Sequence, residues 1–134
     1  MKLKVAFVCT GNSCRSQMAE GFAKDLGSDV LEACSAGTHP ASVVNPNAVE
    51  VMREAGVDIS NQYPKLLGDI PFKIDILITM GCGVVCPFVS NRHKEDWGLE
   101  DPAGKPVEEF RKTRDIIRAK VLELIEKIKN NELT

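Results

Sequence analysis

Cys9 and Arg15, six positions apart, are the residues of this chain best suited to chemistry on a tetrahedral anion. They bound the stretch Cys9-Thr10-Gly11-Asn12-Ser13-Cys14-Arg15, and Ser16 follows directly. A loop of this length after a strand can curl so that the N–H groups of Thr10, Gly11, Asn12, Ser13 and Cys14 converge on an oxyanion. A helix starting there would add the partial positive charge of its N-terminus. The Arg15 guanidinium offers two parallel donors to two anion oxygens. The same positive field favours Cys9 as thiolate, the nucleophilic form. Ser16 can hydrogen-bond that sulfur and assist its later departure. Cys9 also fits a small buried residue at a strand end. A strand before, a glycine within and a helix after favour the nucleophile.

A second pair, Cys82 and Cys86, is separated only by Gly83-Val84-Val85. With Cys14 and Cys34 the cysteines number five, an odd count unlike a secreted disulfide framework. In a reducing compartment such pairs are catalytic, redox-active or metal-binding. Zinc would need two further ligands, and neither His39 nor His93 has the paired spacing to supply them. Cys34 reads as packing, and Cys14 as a bystander thiol open to oxidation. Neither histidine has a compelling partner in sequence.

The elements that must position these residues are legible from periodicity. Residues 3–8 form a short apolar run that predicts a buried strand ending at the loop. A helix is expected from near Ser16, with Met18, Ala19, Phe22, Ala23 and Leu26 on one face and a stop at Gly27. Val30 to Ala36 predicts a second strand, closed by Gly37. Asn45-Pro46 starts a helix with proline at its first position. Ala48, Val51, Met52 and Ala55 line its core face, and Gly56 ends it. Ile74 to Met80 predicts a strand ending at Gly81. Residues 82–105 read mainly as loop, with a short strand before Trp97. A last helix, from about Pro106 to Lys129, turns Phe110, Ile117, Val121, Leu124 and Ile128 to the core. Its Lys and Glu run reads as a solvated face.

Strands alternating with helices predict an α/β fold around a parallel sheet. Ligands of such sheets bind beyond the C-terminal strand ends, where the loops after Cys9 and Met80 would meet. At 134 residues the chain is expected to form a single domain, residues 1–134. A net charge of −2 argues against a nucleic-acid binder, so the anion site must be local. No run approaches the roughly 18 apolar residues of a membrane span. With no secretory pattern at the start, the expected location is cytoplasmic.

The loop, with Gln17-Met18-Ala19-Glu20-Gly21 after it, resembles the low-molecular-weight tyrosine phosphatase superfamily, and within it the thioredoxin-coupled arsenate reductases. The resemblance continues through Ser35-Ala36-Gly37, Asn45-Pro46, Asp58-Ile59-Ser60, His93-Lys94-Glu95-Asp96-Trp97-Gly98 and Asp101-Pro102-Ala103-Gly104-Lys105. It implies a three-layer sandwich, a four-stranded parallel sheet flanked by helices. It also implies that Asp101 is a general acid, protonating the leaving oxygen. A turn aspartate before Pro102 is the other reading of Asp101. Asn12, with Ser13, is expected to brace the loop, and Asn tolerates the left-handed conformation this requires. Some relatives bind potassium near the loop through Asn, Glu, Ser and Asp oxygens. Asn12, Glu20 and Ser35 match, but Lys65 stands where the Asp is expected, so its ammonium would take over the cation's charge.

Phosphatase and reductase share such a loop, because phosphate and arsenate are alike in shape and charge. A phosphatase of this superfamily places an aromatic residue after Asp-Pro, whereas here Ala103-Gly104 follows. With Trp97, Tyr63 and five Phe in all, an aromatic clamp looks absent. A reductase needs electrons, which thiols supply. Cys82, just past a strand end, would attack the Cys9 sulfur of a thiol–arsenate adduct, and Cys86 would resolve the disulfide by exchange. Residues four apart on a helix have Cβ atoms about 5–6 Å apart, and a disulfide prefers about 3.8 Å. Oxidation is therefore expected to rearrange residues 80–90, eased by Gly81 and Gly83. The expected activity is arsenate reduction, with hydrolysis of phosphotyrosine or small phosphoesters as the alternative. Expected partners are arsenate, phosphate or sulfate as competing oxyanions, and thioredoxin or another thiol reductant. The reading requires no cofactor and no metal, and treats the chain as a monomer.

Overall fold

The computed structural model describes residues 2–70, 73–81 and 93–132. Four strands, β1 (Leu3–Cys9), β2 (Leu31–Gly37), β3 (Ile76–Thr79) and β4 (His93–Asp96), form one sheet in the order β2-β1-β3-β4. All pairings are parallel. β1 is central, with Cys9 opposite Gly37 on one side and Val8 opposite Thr79 on the other. The chain therefore leaves β1, β2 and β3 at the same end of the sheet. That end holds the loop.

Successive side chains of a strand point to opposite faces. Val5, Phe7 and Cys9 accordingly join one apolar core with Ile76, Ile78 and the helices, whereas Ala6, Val8, Ile74 and Leu77 form a second cluster. Helix α1 (Arg15–Gly27) contributes Met18, Ala19, Phe22 and Ala23 to the first core. Helix α2 (Pro46–Glu54) contributes Ala48, Val51 and Met52, and helix α3 (Val107–Lys129) contributes Phe110, Ile117, Val121 and Leu124. On the opposite face, among the described residues, a 3-10 turn at Leu67–Asp69 and Ile70 pack against the second cluster. Phe7, Phe22 and Phe110 are buried, and truncating any of them to alanine would cost about 3–5 kcal/mol.

The sequence reading differs from the structure at a few edges. β3 spans four residues, shorter than the 74–80 run, although backbone bonds continue past both ends: Asp75 N–H donates to the Lys4 carbonyl, the Asp75 side chain accepts the Lys4 N–H, and Met80 N–H donates to the Val8 carbonyl. Ala55 caps α2 and is exposed, since the helix already ends at Glu54. Gly27 ends α1 by packing rather than by a left-handed turn: a Cβ there would lie 2.8 Å from Ile125. Asn45 caps α2 as its spacing indicates, accepting the Asn47 N–H at 2.9 Å.

Candidate active site

The loop after β1 turns directly into α1. Its carbonyls face outward: those of Cys9, Thr10, Gly11 and Ser13 accept the N–H groups of Thr38, His39, Ala41 and Asn45. The carbonyl of Asn12 accepts from the Gln17 amide at 3.0 Å. In a trans peptide the N–H points opposite the C=O. Outward carbonyls therefore direct the N–H groups of residues 10–14 inward, toward the space an oxyanion would take. The 38–45 segment is thus a brace for the loop, and Gly37 lets β2 approach it, since a Cβ there would lie 2.6 Å from the Thr10 carbonyl.

Cys9 is buried at 2% exposure. Its Sγ lies 2.8 Å from the Ser16 hydroxyl and accepts the Asn12 N–H at 3.2 Å. The Asn12 side-chain amide donates to the same hydroxyl at 2.7 Å. That bond occupies one acceptor site on Ser16 Oγ, whose proton remains available to be donated to a Cys9 thiolate. Asn12 holds φ +50°, the left-handed conformation expected for it. The Lys65 N–H completes its contacts by donating to Asn12 Oδ1 at 3.0 Å.

Arg15 is 2% exposed. Its Nη1 donates to the Met80 carbonyl at 3.3 Å and the Leu99 carbonyl at 3.0 Å. Its Nη2 lies 3.7 Å from Asp101 Oδ2, while Asp101 Oδ1 accepts the Ala103 N–H. Asp101 is therefore both a turn former and a carboxylate facing the Arg15 guanidinium, with its side chain 47% exposed. Met80 immediately precedes Gly81, so Arg15 is tied to the end of β3 from which the chain proceeds to Cys82. Cys82 and Cys86 themselves lie outside the described residues, as does most of the 80–90 segment expected to rearrange.

Cys14 is not open to oxidation as expected. It packs in the main core at 2% exposure, and burial pushes its thiol up to about 11, against a weak hydrogen bond from Ser13. It stays protonated at neutral pH. Cys34 is buried in β2, and that burial likewise raises it. His93 does have a partner, which the sequence reading missed. At the head of β4 its Nε2 lies 2.7 Å from Glu95 Oε2, two residues on and on the same face. His39 contacts only its neighbour Thr38 among the described side chains.

The oxygens matched to a potassium site are engaged by the chain itself. Glu20 takes Ser35 at 2.5 Å and Lys24 at 2.5 Å, and the Lys65 ammonium lies 3.9 Å away. With Asn12 Oδ1 already accepting from Lys65, these residues do not fit a bound cation. Trp97 packs on Phe7 with ring centroids 5.7 Å apart and belongs to the core rather than to a ring-binding wall. Tyr63 is exposed, with the Lys65 ammonium 4.6 Å from its ring centre.

Three features of this site escaped the sequence reading: Gln17, Gln62 and the carbonyls of Met80 and Leu99. Backbone acceptors leave no mark in sequence. Gln17 does leave one, as an uncharged polar residue between Ser16 and Met18 on a helix that buries nearly its whole first half.

Residues 4–85 match the model of the low molecular weight phosphotyrosine protein phosphatase family. An arsenate reductase of Staphylococcus aureus is 46% identical over 121 residues, 87% of this chain and 92% of that protein. The chain belongs to the low molecular weight phosphotyrosine protein phosphatase family, on its arsenate reductase branch. Among solved structures, an arsenate reductase in the phosphate-binding state superposes with a TM-score of 0.87 at 45% identity, covering 96% of this chain and 99% of the other. A thioredoxin-dependent arsenate reductase of Corynebacterium glutamicum gives 0.77 at 35% identity, covering 97% of this chain and 63% of that one. As in the family fold, four parallel strands and three helices present the Cys9 loop at the C-terminal sheet edge. No described helix is long and apolar enough to cross a membrane.

Proposed function

We infer that this chain is an arsenate reductase in which Cys9 is the nucleophile and Cys82 and Cys86 complete a thiol relay. The observation that carries this is the Cys9 sulfur, bonded to the Ser16 hydroxyl and the Asn12 N–H, beside an arginine tied to the residue before Gly81-Cys82. Arsenate enters the loop with its oxygens on the inward N–H groups of residues 10–14 and on Arg15. The Cys9 thiolate attacks arsenic and an oxygen leaves as water, taking its proton from Asp101. The Cys82 thiolate then attacks Cys9 Sγ. The sulfur–arsenic bond breaks, its electron pair stays on arsenic, and arsenic(V) leaves as arsenite. Cys86 attacks Cys82, releasing the Cys9 thiolate and leaving a Cys82–Cys86 disulfide for thioredoxin or another dithiol to reduce.

This reading treats residues 1–134 as one cytoplasmic, monomeric domain for which phosphate and sulfate compete with arsenate. It is tested by a single turnover of fully reduced protein with arsenate, counting arsenite and thiols beside Cys82→Ser and Cys86→Ser variants. One arsenite per chain with loss of two thiols, abolished in Cys82→Ser, is the expected result. No arsenite, with steady hydrolysis of an aryl phosphate that requires Cys9, overturns it in favour of a phosphatase.

A further inference from the structure

Asn12 makes four polar contacts, two inward and two outward. Its N–H and its side-chain amide serve the nucleophile directly, one on Cys9 Sγ and one on Ser16 Oγ. Its two oxygens are held from outside: Oδ1 by the Lys65 N–H at 3.0 Å and the carbonyl by Gln17 Nε2 at 3.0 Å. The residue is buried and in the left-handed region, which asparagine enters more readily than most residues and which its contacts here hold in place. Those contacts come from Gln17 and from the 59–65 segment.

Gln17 is fully buried, and its amide is completely used. The two Nε2 protons go to the carbonyls of Asn12 and Tyr63, each at 3.0 Å. Its Oε1 accepts from Gln62 Nε2 at 2.8 Å, and the same Gln62 nitrogen donates to the Gln17 carbonyl at 2.9 Å. Gln62 thereby secures from the oxygen side an orientation that the two carbonyls demand from the nitrogen side. Without that donor the Oε1 is left a buried acceptor with no partner, and the amide is held from the carbonyl side alone, which loosens its grip on the Asn12 carbonyl.

We propose that Gln62, acting through Gln17, is a positioning residue for Asn12 and hence for the Ser16 proton that stabilises the Cys9 thiolate. Gln62 is half-buried, lies outside the oxyanion loop, and directs its side-chain amide to Gln17. Its effect must therefore pass through two side chains before reaching the sulfur. The inference rests on Cys9 as the nucleophile of arsenate reduction.

The test uses the full reduced chain as wild type, Gln62→Met, Gln17→Met and the double variant. Methionine keeps length and volume and removes the amide. The first readout is the pH dependence of iodoacetamide alkylation, followed on the Cys9 peptide by mass spectrometry. The second is kcat and KM for arsenate, and thermal melting reports the fold. In Gln62→Met the alkylation midpoint should move up by about one pH unit, the scale of one lost hydrogen bond at a charged group. Its kcat should fall about threefold to tenfold, by more than KM rises. The double variant should be no worse than Gln17→Met alone, since both act on one path. An unmoved midpoint in Gln62→Met overturns the proposal even if melting shifts, and so does strict additivity of the two substitutions. A wild type that makes no arsenite would sink the reductase reading instead, while the alkylation midpoints would still judge the clamp.

Discussion

The Ser16 hydroxyl, in the first turn of α1, stands 2.8 Å from the Cys9 sulfur at the end of β1. Six residues lie between them in sequence, and Asn12 donates to the same hydroxyl, so the Ser16 proton is available for the sulfur. Ser16→Ala removes that donor while keeping the helix start. A hydrogen bond to a charged group is worth about 1.5–3 kcal/mol, so the single-turnover rate with arsenate should fall roughly tenfold to a hundredfold. An unchanged rate would reduce Ser16 to a brace of the loop.

Arg15→Lys should be far from conservative. The guanidinium donates to two buried carbonyls from Nη1 and faces Asp101 with Nη2. An ammonium is a point charge and cannot present a planar pair to an anion as well. Expected is a loss of about a hundredfold in kcat/KM for arsenate, with parallel weakening of phosphate as a competitor. Equal losses for both anions would place the defect in the loop, whereas a loss for arsenate alone would contradict this role.

Asp101→Asn separates the two roles of that side chain. Asparagine can still accept the Ala103 N–H, so the turn should survive and the melting temperature should hold. It cannot deliver a proton to the leaving oxygen. A general acid contributes about 10²–10⁴-fold, so adduct formation should slow by at least about a hundredfold. A full rate in Asp101→Asn would leave the aspartate as a turn former only.

Gly81→Ala should destabilise the end of β3. Gly81 has φ +90°, and a Cβ there would lie 2.8 Å from the Gly98 Cα, a backbone atom that cannot rotate away. A cost of about 1–3 kcal/mol is expected in chemical denaturation. Because Met80 and Leu99 also carry the Arg15 contacts, oxyanion affinity should fall with it.

Acid should dissolve the clamp between α2 and α3. Arg111, through its hydrogen bonds first, holds the Glu54 carboxyl down to about 2 from an ordinary 4.5, with Arg114 adding to it. A carboxyl depressed by folding supplies stability above its unfolded value and loses it as pH falls through its folded value. Glu54→Gln should therefore be less stable than wild type at neutral pH. The gap should narrow below about 4.5 and close near 2 in urea titrations across that range. A gap independent of pH would mean the pair contributes nothing through its charge.

Much of this protein was legible in the sequence because its signals are local. A buried strand, a glycine-bearing loop and a helix start are written in consecutive residues, and they named Cys9, Arg15 and Ser16 together. The parallel sheet followed from alternation of strands and helices, and the left-handed Asn12 from its chemistry. Tertiary structure alone decided what holds the loop in shape. The outward carbonyls are taken by residues 38–45, and Asn12 is gripped by Gln17 and the Lys65 N–H, partners that no spacing relates. It also decided that Cys14 is a buried thiol and that Arg15 rests on carbonyls of Met80 and Leu99. The physical reason is that nucleophile and anion loop are built from near neighbours, whereas satisfying their buried polar atoms requires donors and acceptors from whichever segments the fold packs alongside.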